Sequence, residues 1–219
     1  MNSPILQLLV LAGIAIFLIL RLRNVLGTRE GYEKPPVALP DSKKRSRNDF
    51  EVIEGGPDLD ITENVPAHSD SASALAAMKG IDPAFNVGDF LKGARGAYEM
   101  ILMAFHRGDI APVKDFVSPE VFDAFAGVIA QREAEGIKIE ATFIGIGDLA
   151  LKQAEFDRTT REAEVSVRFG GEFTEIIRDR AGTIIEGSDG AVKRQRDVWT
   201  FARTMGSTDP NWILVATSE

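Results

Sequence analysis

Two histidines and no cysteine in 219 residues leave little from which to build a catalytic centre. Without cysteine the chain has no disulfide framework, thiolate metal site, redox motif or cysteine nucleophile. His68 falls in a stretch with no helical or strand period. His106 falls near the C-terminal end of an amphipathic segment, where a helix-end charge interaction or simple exposure accounts for an imidazole. No closely spaced set of His, Asp and Glu has metal-ligand spacing, and no glycine-rich loop joins a strand to a helix, so neither a metal nor a cofactor is expected. One acid–base candidate remains, Asp197 on an otherwise apolar strand. It reads either as the base of an isomerase or dehydratase, or as the partner of Arg168, Arg178 or Arg203 across a sheet.

A second class of functional residue is apolar. Phe143, Phe169, Trp199, Phe201 and Trp212 fall at alternate positions of strand-like segments. They read as sheet core and also as the candidate lining of a pocket for an acyl chain or an apolar protein segment. The formal net charge of −8 argues against nucleic acid as a partner, because phosphate contacts need a basic face.

The elements that position these residues show in the hydrophobic period. After Asp82 and Pro83, a helix is expected to carry Phe90, Ala94, Ala97, Tyr98, Ile101, Leu102 and Phe105 on one face. Gly93 and Gly96 lie within it at a cost of ~1 kcal/mol each relative to alanine, which predicts close packing of another element against them. Gly108 ends this helix, and Asp109 to Phe116 forms a short helical connector. Ser118 and Pro119 open another helix with Val121, Phe122, Phe125, Val128 and Ile129 inward, closed by Gly136.

The period then becomes alternating. Ile137, Ile139, Ala141 and Phe143 share one face of a strand, and Ala163, Val165, Val167 and Phe169 one face of the next. Gly170 and Gly171 mark a bulge or bend, and Gly187 to Gly190 a turn. Val192 to Thr204 and Trp212 to Thr217 follow as the last two strands. Helices followed by about four antiparallel strands predict an α+β fold with the helices packed on a curved sheet.

The N-terminal third reads differently. Ile5 to Leu20 is uncharged, and the apolar stretch extends through Leu22, Val25 and Leu26, long enough for one membrane helix over residues 1–26. Arg21 and Arg23 would snorkel to the headgroups. Basic residues follow the span and none precedes it, so the N-terminus is expected outside and the C-terminal domain in the cytoplasm. Residues 27–77, broken by prolines and rich in charge, read as a flexible linker, with Ala72 to Lys79 as a helical turn or two. Within that linker Lys43, Lys44, Arg45 and Arg47 form a basic cluster. It reads as a solvated charge run or as a contact with anionic lipid.

The folded domain, 78–219, carries a family resemblance. Asp82, Phe90, Ala97, Tyr98, Phe105, Gly108 and Asp109, then Ser118, Pro119, Phe125 and Gly136, resemble the opening of the Tim44-like domain. The closing run from Asp197 through Val198, Trp199, Thr200, Phe201, Ala202 and Arg203 to Asp209, Pro210, Asn211, Trp212 and Leu214 is similar to that family's final strand pair. The apolar start with Arg21, Leu22, Arg23, Val25, Leu26, Gly27, Pro35 and Pro36 resembles its bacterial membrane-tethered members. The resemblance implies a cone-shaped fold like nuclear transport factor two. It also implies a place at the bacterial inner membrane, and kinship with proteins that anchor an import-motor chaperone in mitochondria.

Three functions follow as expectations. The first is a membrane-tethered adaptor or scaffold that binds protein or lipid, in protein transport or the assembly of membrane complexes. The second is a small-molecule enzyme of isomerase or dehydratase type on the same fold. The third is a structural subunit of a larger membrane complex. The first is favoured because no second catalytic partner accompanies Asp197.

Overall fold

In a computed structural model of the chain, residues 58–218 are described. The expected membrane helix lies outside them, as do Arg21, Arg23, Lys43, Lys44, Arg45 and Arg47. Among the described residues no helix is long and apolar enough to cross a membrane.

Among the described residues four α-helices precede four strands. α1 spans Leu59–Thr62, α2 Asp70–Ile81, α3 Val87–Arg107 and α4 Pro119–Glu135, with a 3-10 turn over Ala111–Phe116 between the last two. The strands β1 Lys138–Phe156, β2 Glu162–Arg178, β3 Ile184–Thr204 and β4 Ile213–Ser218 form one antiparallel sheet in the order β1-β2-β3-β4. This is the expected α+β arrangement of helices and antiparallel strands.

Residues 58–77, read from sequence as the end of the linker, are largely helical. They contribute Ile61, Val65 and Leu75 to the same core as the sheet, and Met78 follows. Asp58 and Asp60 both meet Lys79 at 2.7 Å, and the Asp60 carboxylate accepts from the backbone N–H groups of Val87 and Gly88. Burial pushes the Asp60 carboxyl upward, but Lys79 and these two N–H donors outweigh it and hold it below the usual range. Asp60 thus satisfies two orphan donors at the N-terminus of α3 and favours its positive end.

α3 is the central helix. It begins four residues later than the Asp82–Pro83 signal suggests, because Asn86 is the N-cap and accepts from Asp89 N–H. Asp82 instead terminates α2 and receives Arg203 at 2.9 Å. Gly108 closes α3 and Gly136 closes α4, both in the left-handed conformation that glycine adopts without a Cβ penalty. Ser118 caps α4 through Val121 N–H, with Pro119 first in the helix. On α4 Val121 and Ile129 are buried, while Val128, expected inward, is 38% exposed.

The strand faces alternate as expected, and β2 buries Ala163, Val165, Val167, Phe169 and Phe173. One irregularity falls at the glycines, but on the facing strand. β2 itself carries no extra residue at Gly170 and Gly171; the extra residues are in β1, where the register shifts between Phe143 and Gly145, between Ile146 and Asp148 directly opposite Gly171 and Gly170, and between Leu151 and Gln153. Gly171 is needed for a different reason: a Cβ there would stand 2.5 Å from the Tyr98 hydroxyl.

Gly187 to Gly190 is not the hairpin turn. β3 already pairs with β2 from Ile184, and the connection lies at Asp179–Thr183. The glycine signal marks an excursion inside β3, since Thr174 pairs with Val192 but Ile176 with Gly187. Gly187 has φ +82°, and a Cβ there would collide with the Glu175 carbonyl oxygen. Among the described residues β4 covers only Val198–Ala202 of β3, and every residue from Ile184 to Arg194 is exposed.

Candidate functional site: two cavities at opposite ends of α3

α3 packs on the buried face of the sheet and ends in a different environment on each side. In its middle, Tyr98 is fully buried and stacked on Phe169, with ring centroids 4.4 Å apart and planes at 10°. Trp199 lies 4.7 Å and Phe143 6.4 Å from the same ring. Its hydroxyl donates to Asp197 Oδ2 at 2.6 Å, and Gln195 Nε2 donates to Asp197 Oδ1 at 2.8 Å. Burial first, and then the Asp197 carboxylate, push the Tyr98 phenol well above its usual range.

Asp197 is therefore not paired with an arginine. Arg168 meets Asp148, Arg178 meets Glu140 and Arg203 meets Asp82. The carboxylate is 5% exposed and lines neither cavity described below. Its two hydrogen bonds satisfy a buried group in the core and bring no base to a substrate.

At the N-terminal end of α3 lies an apolar groove of about 520 Å³. Phe85, Phe90 and Trp212 form its wall, with Trp212 centred 4.7 Å from Phe90 and 5.7 Å from Phe85. Phe201 meets Phe90 edge-on at 6.0 Å. Gly93 and Gly96 lie along the helix side of the groove, with Met100, 37% exposed, further on. Nothing stands within 4 Å of where their Cβ atoms would be, so the close packing expected against these glycines is absent among the described residues. The five candidate aromatics are accordingly split: Phe201 and Trp212 line the groove, while Phe169 and Trp199 are core around Tyr98 and Phe143 is half-buried beside it.

At the C-terminal end of α3 lies a second cavity of about 460 Å³, lined by charged side chains together with Ile129, Ile137 and Ile139. His106 lines it with a side chain only 9% exposed, and its Nδ1 is 3.1 Å from Glu175 Oε2. The approach is close but poorly aligned for a hydrogen bond. Lys193 Nζ meets the other carboxylate oxygen of Glu175 at 2.6 Å. Burial pushes Glu175 upward, but His106 and Lys193 outweigh it and hold the carboxyl at about 2. Arg132 donates to the Phe105 carbonyl at 2.8 Å and stacks 4.4 Å over the Phe105 ring.

Sequence reasoning missed this cluster. His106, expected to be explained by a helix-end charge interaction or by simple exposure, has a side chain only 9% exposed, and no motif singled out Glu175. A carboxylate at an inward position of β2 was the one available signal. Among the described residues no group of His, Asp and Glu is placed to hold a metal ion.

The described domain has one apolar groove and one recess of mixed lining, and its family is clear from comparison. A family model for the Tim44-like domain matches residues 71–219. The chain belongs to the Tim44-like domain family. It is 21% identical over 152 residues to the human mitochondrial import inner membrane translocase subunit TIM44, covering 69% of this chain and 33% of that protein. It is also 21% identical over 142 residues to the Arabidopsis thaliana subunit TIM44-1, covering 65% of this chain and 30% of that protein. The match thus spans about one third of the length of these relatives. The intermembrane space region of the chloroplast protein ARC6 superposes with a TM-score of 0.39 at 14% identity, over 58% of this chain and 94% of that structure.

Proposed function

We propose that the chain is a membrane-tethered adaptor that captures an apolar partner, a protein segment or a lipid tail, in the groove at the N-terminal end of α3. The observation that carries this reading is the groove itself, where half-buried Trp212 stands with buried Phe85 and Phe90 in one wall and Gly93 and Gly96, with nothing packed on them among the described residues, line the helix side. Glycine in an exposed helix interior costs ~1 kcal/mol, a cost that only a close-approaching occupant offsets. In this reading the domain works without chemistry, since Asp197 is sealed in the core. The family membership and the inner-membrane translocase relatives support a role in protein transport or membrane-complex assembly. The apolar N-terminal run supports a single-pass anchor at the bacterial inner membrane with the domain in the cytoplasm. The basic residues of the linker would then add contact with anionic lipid.

The two tryptophans allow a direct test. Trp199 is 4% exposed in the core, whereas Trp212 lines the groove. In the full chain in detergent micelles carrying Trp199→Phe, a fatty-acyl probe or an apolar peptide should shift the emission of Trp212 saturably. In the chain carrying Trp212→Phe the remaining Trp199 should not respond. Equal responses of the two variants, or none, would reject the groove as the capture site.

A further inference from the structure

We infer that the outer edge of β3 over residues 193–197 is a docking site for an extended, acidic segment of a partner protein, which adds as a strand antiparallel to β3 and in line with β4. The site is bounded at both ends. Upstream, the residues looped out after Gly187 return to register only at Val192, which pairs with Thr174. Downstream, Val198 is already taken by Ser218 of β4. Between these limits Lys193 pairs with Phe173 and Asp197 with Phe169 on the β2 side, without a break in register. On the other side no strand pairs with residues 193–197 among the described residues. At ~3.3 Å per residue the stretch is about 17 Å long, the usual length of one strand. Alternate backbone N–H and C=O groups along it point away from β2 and are open to an added strand.

The charge of this edge selects the occupant. Arg194 and Arg196, two positions apart, share the face of the sheet opposite to buried Trp199 and Phe201. Arg194 meets Glu172 at 2.8 Å. Arg196 stands opposite Gly170, which has no side chain to offer it, and Asp148, across from Gly170 on β1, is committed to Arg168. Arg196 therefore forms no ion pair or hydrogen bond among the described residues. The one carboxylate in the stretch, Asp197, is buried and satisfied by Tyr98 and Gln195. An added strand with carboxylates at alternate positions places them across from Arg194 and Arg196, where opposite charges stabilise a cross-strand pair and like charges destabilise it. A second copy pairing through the same edge brings arginine to arginine, so the charge that admits an acidic segment excludes a copy of this chain.

The test uses the full chain, isotope-labelled and in detergent micelles, titrated with a capped peptide of alternating glutamate and valine. A parallel titration uses the same peptide with lysine in place of glutamate. The glutamate peptide is expected to bind saturably and to slow amide exchange at alternate positions within residues 193–197, leaving the amides of Gly93 and Gly96 in the groove unmoved. Arg196→Glu, at an exposed position, should weaken the glutamate peptide about tenfold and strengthen the lysine peptide by about the same factor. Absence of saturable binding, equal binding of the two peptides by the parent chain, or protection elsewhere than in this stretch would overturn the site. So would an Arg196→Glu variant with unchanged preference. Protection of the same amides that grows with protein concentration in the absence of peptide would assign the edge to a second copy and overturn the proposal as well.

Discussion

The two ends of α3 belong to the same helix and solve opposite problems. At its N-terminal end, half-buried Trp212 closes a groove beside bare glycine backbone, and the ion pairs there, Arg203 with Asp82 and Lys92 with Asp89, stand at the rim. At its C-terminal end, a carboxylate and an imidazole are buried together, with the Phe173 ring packed edge-on against the imidazole. The first end leaves unsatisfied surface where an occupant can be accommodated. The second spends burial on holding charge in place. The difference teaches that one helix can carry an apolar groove at one end and a buried ion pair at the other, with Tyr98 between them as the anchor.

Removing that anchor should have the largest effect. Tyr98→Ala takes away a fully buried ring stacked on Phe169 and orphans the Asp197 carboxylate, so a loss of about 3–5 kcal/mol is expected. Urea denaturation measures it directly. A loss under about 1 kcal/mol would mean that the two ends are held independently of the middle.

The polar end should come next. Glu175→Ala leaves His106 and Lys193 facing an empty recess and is expected to cost about 2–3 kcal/mol, reduced from a fully buried pair because Lys193 is 44% exposed. The sign of its pH dependence follows from the lowered pKa. The folded-state carboxyl sits at about 2 against 4.5 for an unperturbed glutamate, so its contribution is present in full above about pH 4.5 and is lost as the pH falls toward 2. Glu175→Gln should flatten that part of the acid-unfolding curve. A variant with the same acid limb as the parent would show that Glu175 does not carry it.

The apolar end should respond in the opposite direction. Gly93→Ala combined with Gly96→Ala meets no neighbour within 4 Å, so the pair should stabilise the fold by about 1–2 kcal/mol in thermal melts. If the groove takes a close-packed occupant, the same variant binds the acyl probe more weakly. Gain of stability with undiminished binding would show that the glycines are not part of the recognition surface.

What was legible in the sequence was local. The caps Ser118 and Pro119, the closing glycines Gly108 and Gly136, and the alternation along β2 are decided within a few residues, and the structure has them where the sequence placed them. The irregular features were readable as signals but not as outcomes. Gly187 to Gly190 does demand unusual backbone, yet whether that yields a hairpin or an excursion depends on where β2 stands. Val128 follows the helical period, but α4 presents it to solvent. The candidate site was hardest of all. His106 and Glu175 are 69 positions apart, and Tyr98 and Asp197 are 99 apart, a separation the pattern of either segment does not encode. Among the aromatics, alternation gave the buried face but could not tell the rings that close the core from those left at its margin.

The excursion within β3 has a consequence for life in a crowded compartment. Among the described residues no strand pairs with the outer rim of β3 before Val198, and Ile184, Ile185 and Val192 stand exposed along it. Such a rim is a template on which a second copy could add strands without limit. Two devices interrupt that growth: the looped-out residues at Gly187 to Val192 break the straight line a neighbouring strand would follow, and the Lys193, Arg194 and Arg196 run gives any in-register copy a column of like charges to overcome. Straightening the strand or neutralising the run should raise the tendency of the domain to add strands edge to edge.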